Sequence, residues 1–442
     1  MNYSRAPVPS FLFALLVILF GGSFAWASPA VTASPLIHVL TDIHYLAESL
    51  HDEGSAFKKL VYEGDGKNTE LIHEILEAYR FALKKEKPDI LLVTGDLTLN
   101  GEEASHLALA SWFKEIESLG IRVFVLPGNH DILNPWARGF SKARAYPTDS
   151  VTPEEFRALY RNCGFDEALA RDIDSLSYVV EPVSGLRIFM LDSSIYSDNM
   201  RRAYPEAGGD FSDTTLEWIK RNVEKAKRAG ARVLVTMHHN VVAHNSFISE
   251  RYTIYDAESV LDRFSEAGIN FVFTGHVHVQ DISEQTSSRG VFYDIATNAL
   301  SVFPHQYGRV SLDPRNRLLS YRTVRVNVES WAREKRITDD PLIGFQAYSE
   351  SFFRDRSAFM VDRMLGKEDI PLARERAATM IALFGTLNTR FFAGYAFLNA
   401  FDTAQSEIYK DLVAVDYGFL SSYAQSIIED PTPENNQIEI SY

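Results

Sequence analysis

Seven residues with metal-binding side chains stand at or just beyond the ends of short apolar runs. They are Asp42, His44, Asp96, Asn129, His238, His276 and His278. Imidazole together with carboxylate and amide oxygen suits Mn, Fe or Zn, whereas Mg and Ca prefer oxygen ligands alone. A carboxylate can also bridge two cations that lie about 3.5 to 4 Å apart. The sequence therefore predicts a site for two divalent or trivalent transition-metal ions.

The apolar runs alternate with amphipathic segments along the first part of the chain. The runs are Leu36 to Leu40, Ile90 to Val93, Val123 to Leu126, Val233 to Val235 and Phe271 to Phe273. The amphipathic segments predict helices near Asn68 to Lys87, Glu102 to Ser118, Thr214 to Ala229 and Asp256 to Ala267. This alternation is typical of an α/β sheet, which presents chemistry at the ends of its strands. We expect the seven residues to meet at one edge.

A glycine precedes three of the seven, at Gly95, Gly128 and Gly275. A chain that turns sharply off a strand beside a metal benefits from a residue without a Cβ atom. These glycines therefore support the strand-end positions predicted for Asp96, Asn129 and His276.

The chain resembles the calcineurin-like metallophosphoesterase family over roughly residues 36 to 325. The matching segments are Asp42-Ile43-His44, Gly95-Asp96, Gly128-Asn129-His130-Asp131, His238 and Gly275-His276-Val277-His278. The resemblance implies a four-layer sandwich of two β-sheets flanked by helices. It implies that one metal is held by Asp42, His44 and His278. It implies that a second is held by Asn129, His238 and His276, and that Asp96 bridges the two.

The resemblance also implies the reaction. Two cations lower the pKa of a bridging water, and the resulting hydroxide attacks phosphorus in line. In the family the histidine after the asparagine ligand lies beside the leaving oxygen. We therefore expect His130 to protonate or steady that oxygen, with Asp131 orienting the imidazole.

Other histidines are expected to be structural. His38, His51, His73 and His106 are interpreted as surface or core residues. His244 and His305 follow strand-end loops, where a histidine either touches substrate or faces water. His239 is an alternative ligand to His238, although the family places the first histidine after the strand on the metal.

Departures from related families favour a diester substrate. Purple acid phosphatases have a tyrosine ligand where this chain has Leu99. Serine/threonine protein phosphatases have a phosphate-binding arginine near this point, and the segment Leu99-Asn100-Gly101 lacks it. A dianionic monoester needs that arginine more than a monoanionic diester does. Asn100 and Asn129 are the predicted substrate contacts.

The pattern is most similar to the cyclic-nucleotide and glycerophosphodiester branch, although His239-Asn240 stands where that branch often has His-Pro. The predicted function is hydrolysis of small phosphodiesters. The alternative is a phosphomonoesterase acting on nucleotides or sugar phosphates. A catalytically silent protein that keeps the fold should have lost a ligand or His130, and this sequence retains them all.

The composition of the chain limits the kinds of molecule that it is expected to bind. The 442 residues include 44 Lys and Arg against 59 Asp and Glu, for a formal net charge of -15. Such a charge disfavours extended nucleic acid, whose binding depends on broad phosphate contacts. Cys163 is the only cysteine, so stability must come from packing rather than internal disulfides.

The N-terminus predicts a signal peptide over residues 1–27. Arg5 precedes an apolar run from Phe11 to Phe20, and Ala25-Trp26-Ala27 forms a small-residue cleavage site. The run is shorter than the roughly 18 to 20 residues of a spanning helix. We expect an exported protein, periplasmic or secreted, with no transmembrane anchor after cleavage.

Past about Arg325 the strand pattern gives way to helical spacing. One predicted face carries Met380, Leu383, Phe384, Leu387 and Phe391, and Pro371 is a predicted helix start. The sequence thus predicts a metallophosphoesterase domain over residues 36–325 and a helical C-terminal domain over 326–442. The second domain either forms one wall of the cleft or mediates dimerisation.

Overall fold

The computed structural model describes residues 34–247, 249, 251–287, 289–367, 374–395, 406–415, 418–430 and 435–441. The predicted signal peptide and Pro371 lie outside these residues.

The strands of the described residues form two large mixed sheets and a hairpin. Their bounds are β1 Leu36–Leu40, β2 Ile90–Thr94, β3 Arg122–Leu126, β4 Arg138–Ser141, β5 Arg144–Pro147, β6 Ala170–Arg171, β7 Tyr178–Val183, β8 Leu186–Leu191, β9 Arg232–Met237, β10 Phe271–Thr274, β11 Asp281–Ser287, β12 Gly290–Ala296, β13 Gln306–Asp313, β14 Leu318–Arg325 and β15 Gln437–Ser441. The first sheet has the order β15-β14-β13-β1-β2-β3 and the second β11-β12-β10-β9-β8-β7-β6. The hairpin is β4-β5.

The central strands of both sheets run parallel. In the first sheet β1, β2 and β3 are parallel neighbours, and in the second β8, β9, β10 and β12 are. The carboxyl ends of parallel neighbours meet at one edge, which explains why the polar residues after β1, β2, β3, β9 and β10 come together. Each of these five strands agrees with its predicted run to within two residues at either end.

Helices cover the outer faces of both sheets. Their bounds are α1 Ser55–Glu63, α2 Ile72–Glu86, α3 Glu103–Glu117, α4 Pro153–Leu159, α5 Asn199–Arg202, α6 Asp213–Arg228, α7 Ala257–Ala267, α8 Val328–Lys335, α9 Asp340–Ile343, α10 Phe345–Lys367, α11 Arg374–Phe392, α12 Glu407–Val415 and α13 Phe419–Ile428. The main core joins α2 and α3 to residues of both sheets, and a second cluster joins α6 and α7 to β9 and β10. The predicted sandwich of two sheets flanked by helices is therefore confirmed.

The C-terminal helices form a separate cluster on the edge near β10. Met380, Phe384, Leu387 and Phe391 of the predicted stripe are buried, and Leu383 is partly buried against them. None of the described helices combines the length and apolar character that a bilayer crossing requires.

The chain then returns to the first sheet, where β15 pairs antiparallel with β14. This strand was not predicted, because it lies at the sheet edge and Ile440 is its only buried side chain. The C-terminal helices are thus followed in the chain by a strand that belongs to the first sheet.

Candidate metal centre and cleft

The loops that carry the candidate ligands are hydrogen-bonded to one another. The Asp42 N–H donates to the Gly95 carbonyl (3.1 Å), and the His44 N–H donates to the Asp96 carbonyl (3.0 Å). The Gly275 N–H donates to the His238 carbonyl (3.0 Å). Backbone pairing therefore continues past the strands and fixes the loops of neighbouring strands in place.

Several candidate ligands have a left-handed backbone. The residues and their φ angles are Asp42 (49°), His44 (46°), Asp96 (49°), His276 (71°) and His278 (61°). A positive φ is uncommon for residues other than glycine, and each sparsely populated conformation costs about 1–3 kcal/mol. Such strain persists where the surroundings over-determine it and clusters at active sites. Its concentration here marks this edge as a functional site.

Two glycines allow the ligand loops to touch. A Cβ on Gly275 would lie 2.0 Å from Thr41 Oγ1 and 2.6 Å from Asp42 Oδ2. A Cβ on Gly128 would lie 2.2 Å from Asp96 Oδ1. Both positions therefore require glycine because a second loop occupies the space of a side chain.

One group of donors contains Asp42, His44, Asp96 and His278, whose ligand atoms lie within 4.8 Å of one another. His44 Nε2 is 3.0 Å from His278 Nε2 and 3.5 Å from Asp96 Oδ2. His278 Nε2 is 3.3 Å from Asp42 Oδ1. Four donor atoms thus face a common centre.

A second group contains Asn129, His238 and His276 and adjoins the other oxygen of Asp96. His238 Nε2 lies 3.1 Å from Asn129 Oδ1 and 3.5 Å from Asp96 Oδ1. The second nitrogen of each imidazole is engaged by backbone, since His238 Nδ1 bonds the Thr94 carbonyl (2.9 Å) and His276 Nε2 the Arg251 carbonyl (3.1 Å). Each ring therefore has its other nitrogen directed toward the candidate metal centre.

The protonation states of His44, His276 and Asp96 suit metal binding, which requires neutral imidazole and ionised carboxylate. Burial holds the pKa of His44 well below its usual value and lowers that of His276 to about 3. Burial would raise the pKa of Asp96, but the nearby His238 and His130 hold it well below the ordinary value.

His238 behaves differently from these two histidines. Burial lowers its pKa, but the Asp96 carboxylate outweighs that effect and raises the pKa to about 9. The position therefore favours a positive charge, which a cation would supply. Asp42 Oδ1 also accepts no hydrogen bond from the described residues although it is buried. The donor set therefore fits two cations.

His130 lies at the edge of this ring of donors. Its Nδ1 is 2.8 Å from the Leu99 carbonyl and 3.1 Å from Asn100 Oδ1. Its Nε2 is 4.0 Å from Asp96 Oδ2, and its backbone N–H donates to Asp96 Oδ1 (2.9 Å). The Leu99 carbonyl thus fixes the tautomer, and Nε2 faces the candidate metal centre.

Asp131 does not orient the imidazole of His130, and that prediction needs correction. Its carboxylate accepts hydrogen bonds from the backbone N–H groups of Leu97, Thr98 and Gly128 (2.9 to 3.0 Å). Its role is to hold the loops after β2 and β3 together. Asn100, a predicted substrate contact, points its side-chain oxygen at His130, and its contact with substrate stays a prediction.

The two neighbouring histidines after β9 differ in their surroundings. His239 Nδ1 lies 2.8 Å from Ser193 Oγ, and Nε2 lies 3.1 Å from the Ala207 carbonyl. Ligand atoms of His239 also come within 4.8 Å of those of His238 and His276. However, both nitrogens of His239 bond groups outside the donor set, whereas His238 Nε2 faces the candidate ligands Asn129 and Asp96. The geometry favours His238 as the ligand.

The remaining loop histidines lie in the interior rather than in water. His244 is 2.7 Å from Asp281 and 3.2 Å from Asp294. His305 bonds the Leu300 carbonyl (2.7 Å) and Ser349 Oγ (2.6 Å). Neither of these imidazoles touches the donor ring.

A cleft of about 400 Å³ opens over the donors, and we call it the catalytic cleft. Its other lining residues include Asp65, Lys67, Arg251, Tyr252, Val277 and Phe392. Lys67 forms an ion pair with Asp65. Sequence reasoning missed Asp65, Lys67, Arg251 and Tyr252 because they lie in loops, where no hydrophobic period marks them.

Two family profiles match the chain. The profile described as "calcineurin-like phosphoesterase" matches residues 35–280. The chain therefore belongs to the calcineurin-like phosphoesterase family. A second profile, "C-terminal domain of cyclic nucleotide phosphodiesterase", matches residues 327–434.

Individual proteins resemble parts of the chain. A "probable glycerophosphodiester phosphodiesterase" from Arcobacter nitrofigilis is 30% identical over 156 residues, which is 35% of this chain and 43% of that protein. A "probable cyclic nucleotide phosphodiesterase" from Synechococcus sp. is 43% identical over 197 residues, 44% of this chain and 60% of that protein. A dimetal phosphatase from Danio rerio aligns over 65% of this chain and 96% of its own, at 15% identity and a TM-score of 0.47.

We predict that Gly275→Ala weakens metal binding about 10- to 100-fold, because the added Cβ displaces Asp42 through its neighbour Thr41. Metal per chain, measured by elemental analysis after dialysis, checks this. The matched control is Gly366→Ala in α10, where an added Cβ meets nothing within 4 Å. Equal metal content in the two variants would contradict the claim that the loop of Thr41 and Asp42 leaves no room for a side chain at Gly275.

Proposed function

We propose that this protein is a phosphodiesterase that works with two transition-metal ions. The observation that carries the proposal is Asp96, whose two oxygens face two different groups of donors with His130 beside them. Asp42, His44 and His278 would hold one ion, and Asn129, His238 and His276 the other, with Asp96 between them. The imidazole-rich donors favour Mn, Fe or Zn. When bound, such ions activate a water and neutralise charge on the phosphoryl oxygens.

His130 supplies the proton chemistry in this proposal. The Leu99 carbonyl engages Nδ1, so that Nε2 is the nitrogen that can exchange a proton with substrate. Nε2 lies 4.0 Å from Asp96 Oδ2, so the imidazole borders the proposed metal centre. A protonated Nε2 can donate to the oxygen that leaves phosphorus.

The charges around the described part of the cleft suit a monoanionic diester. Lys67 is paired with Asp65, so its charge is largely offset. Arg251 is the other cationic side chain that lines the described part of the cleft. A monoanionic diester needs less cationic help than a dianionic monoester. The names of the relatives from Arcobacter and Synechococcus agree with a diester substrate.

We also propose that the protein acts outside the cytoplasm, in the periplasm or after secretion. The support is the N-terminal pattern of Arg5, the apolar run and Ala25-Trp26-Ala27.

The proposal predicts that bis(p-nitrophenyl) phosphate is hydrolysed with a kcat/KM at least about tenfold above that for p-nitrophenyl phosphate. The measurement uses protein stripped of metal and resupplied separately with Mn, Zn, Fe and Mg. A preference for the monoester would instead favour an exported phosphatase acting on nucleotides or sugar phosphates. Absence of activity with every metal would contradict the enzyme proposal.

A His130→Ala variant should keep its metals and lose about 10²- to 10⁴-fold in kcat, because it removes the proton donor but none of the proposed ligands. The loss should be largest for diesters with poorly acidic leaving alcohols. Steady-state kinetics on a series of leaving groups measures it. The control is His73→Ala, a half-exposed histidine near Glu48. An equal loss for every leaving group would argue against proton donation.

A further inference from the structure

A small cavity of about 80 Å³ lies beside the catalytic cleft, and we call it the aromatic pocket. Its lining includes Tyr252, Val277, Val279, Phe391, Phe392 and Tyr423. Three of these residues, Tyr252, Val277 and Phe392, also line the catalytic cleft. The pocket and the cleft therefore share one wall.

The segment from His276 to Val279 serves both spaces. His276 and His278 contribute nitrogens to the candidate metal centre. Val277 and Val279 face the C-terminal helices instead, since Val279 is buried in their cluster and Val277 packs against it. One short stretch of chain thus presents donors to one side and apolar side chains to the other.

The end of helix α11 is fixed against this segment. The Gln280 N–H donates to the Phe392 carbonyl (3.1 Å), and Gln280 Nε2 donates to the Asn435 carbonyl (2.6 Å). Because Gln280 is only two residues after His278, the aromatic side chains of α11 keep a set distance from the candidate metal centre.

Tyr252 stands between the two spaces. Its ring centroid lies 5.3 Å from that of His276, and the side chain lines both the cleft and the pocket. The residue is 38% exposed, so a flat group in the cleft can reach its ring.

The described lining of the pocket consists mainly of rings and methyl groups, together with the polar side chains of His244 and Asn245. The Tyr423 hydroxyl already donates to Asn388 Oδ1 (2.8 Å). His244, which also borders the pocket, faces the carboxylates of Asp281 (2.7 Å) and Asp294 (3.2 Å). An anionic phosphoryl group belongs among the donors of the cleft, and an aromatic ring belongs among the rings of this pocket.

The size of the pocket also limits its occupant. A volume of about 80 Å³ corresponds to the space of roughly two to three water molecules. The pocket is therefore too small to enclose a whole ring and has room only for the edge of one.

We propose that the aromatic pocket binds the ring of the substrate's non-phosphate group. Tyr252 and the C-terminal helices then select diesters that carry a flat aromatic group of the nucleobase type over diesters whose substituents are polyol chains. This inference rests on the proposed phosphodiesterase function and defines its substrate class. It also assigns the C-terminal helices to substrate selection.

Binding is tested first, with adenosine as the probe and metal-stripped full-length protein. Adenosine has no phosphate, so its binding requires neither metal nor hydrolysis. Calorimetry should detect adenosine binding, and Tyr252→Ala should weaken it about tenfold, the effect of losing one base–aromatic stack. Tyr252→Phe should retain binding because it keeps the ring, and Tyr204→Ala, an exposed tyrosine outside the pocket, is the matched control.

Kinetics on the metal-loaded protein provide the second test. Tyr252→Ala should raise KM for 3′,5′-cyclic AMP about tenfold while leaving KM for glycerophosphoethanolamine unchanged. A displaced His276 would instead lower kcat for both substrates, and the proposal would fail.

The remaining outcomes separate the two proposals. Diester hydrolysis by wild-type protein without adenosine binding would overturn the pocket and leave the phosphodiesterase standing. Adenosine binding without hydrolysis of any diester would support the pocket and contradict the phosphodiesterase.

Discussion

The buried carboxylate of Asp96 is the interaction around which the site is organised. Its Oδ1 accepts the His130 N–H and adjoins His238, while its Oδ2 adjoins His44. A buried charge costs several kcal/mol unless partners compensate it. The loops after β1, β2, β3 and β9 all contribute to that compensation, so their positions depend on one another. The left-handed backbone at Asp96 and the lack of a side chain at Gly128 both serve this arrangement.

The strands that carry these loops, and the donors at their ends, could be predicted from the sequence. The strands β1, β2, β3, β9 and β10 were predictable because short apolar runs end abruptly at polar residues, and the structure brings Asp42, His44, Asp96, Asn129, His238, His276 and His278 to one edge. The two sheets themselves were predicted only through the family resemblance, since local patterns do not specify which strands pair. The edge strand β15 carries one buried residue and therefore almost no pattern.

The contacts around the site were harder to predict than its ligands. Asp131 was expected at the His130 imidazole, but three backbone N–H groups satisfy its carboxylate instead. Lys67, Tyr252 and Phe392 reach the cleft from positions far apart in sequence. Such contacts depend on how loops and helices pack, and neither hydrophobic periodicity nor the spacing of motifs predicts that packing. Val277 and Val279 did carry a signal. They alternate with His276 and His278, and this alternation separates apolar side chains from metal donors.

The most direct test of the central claim is a metal titration of stripped protein, comparing wild type with Asp96→Ala and with Asp174→Ala, an exposed aspartate, as the control. Calorimetry should give two ions per chain for wild type and the control. Asp96→Ala should fail to hold the pair and lose diester hydrolysis, because the shared carboxylate is gone. Two tightly bound ions and full turnover in Asp96→Ala would contradict the account.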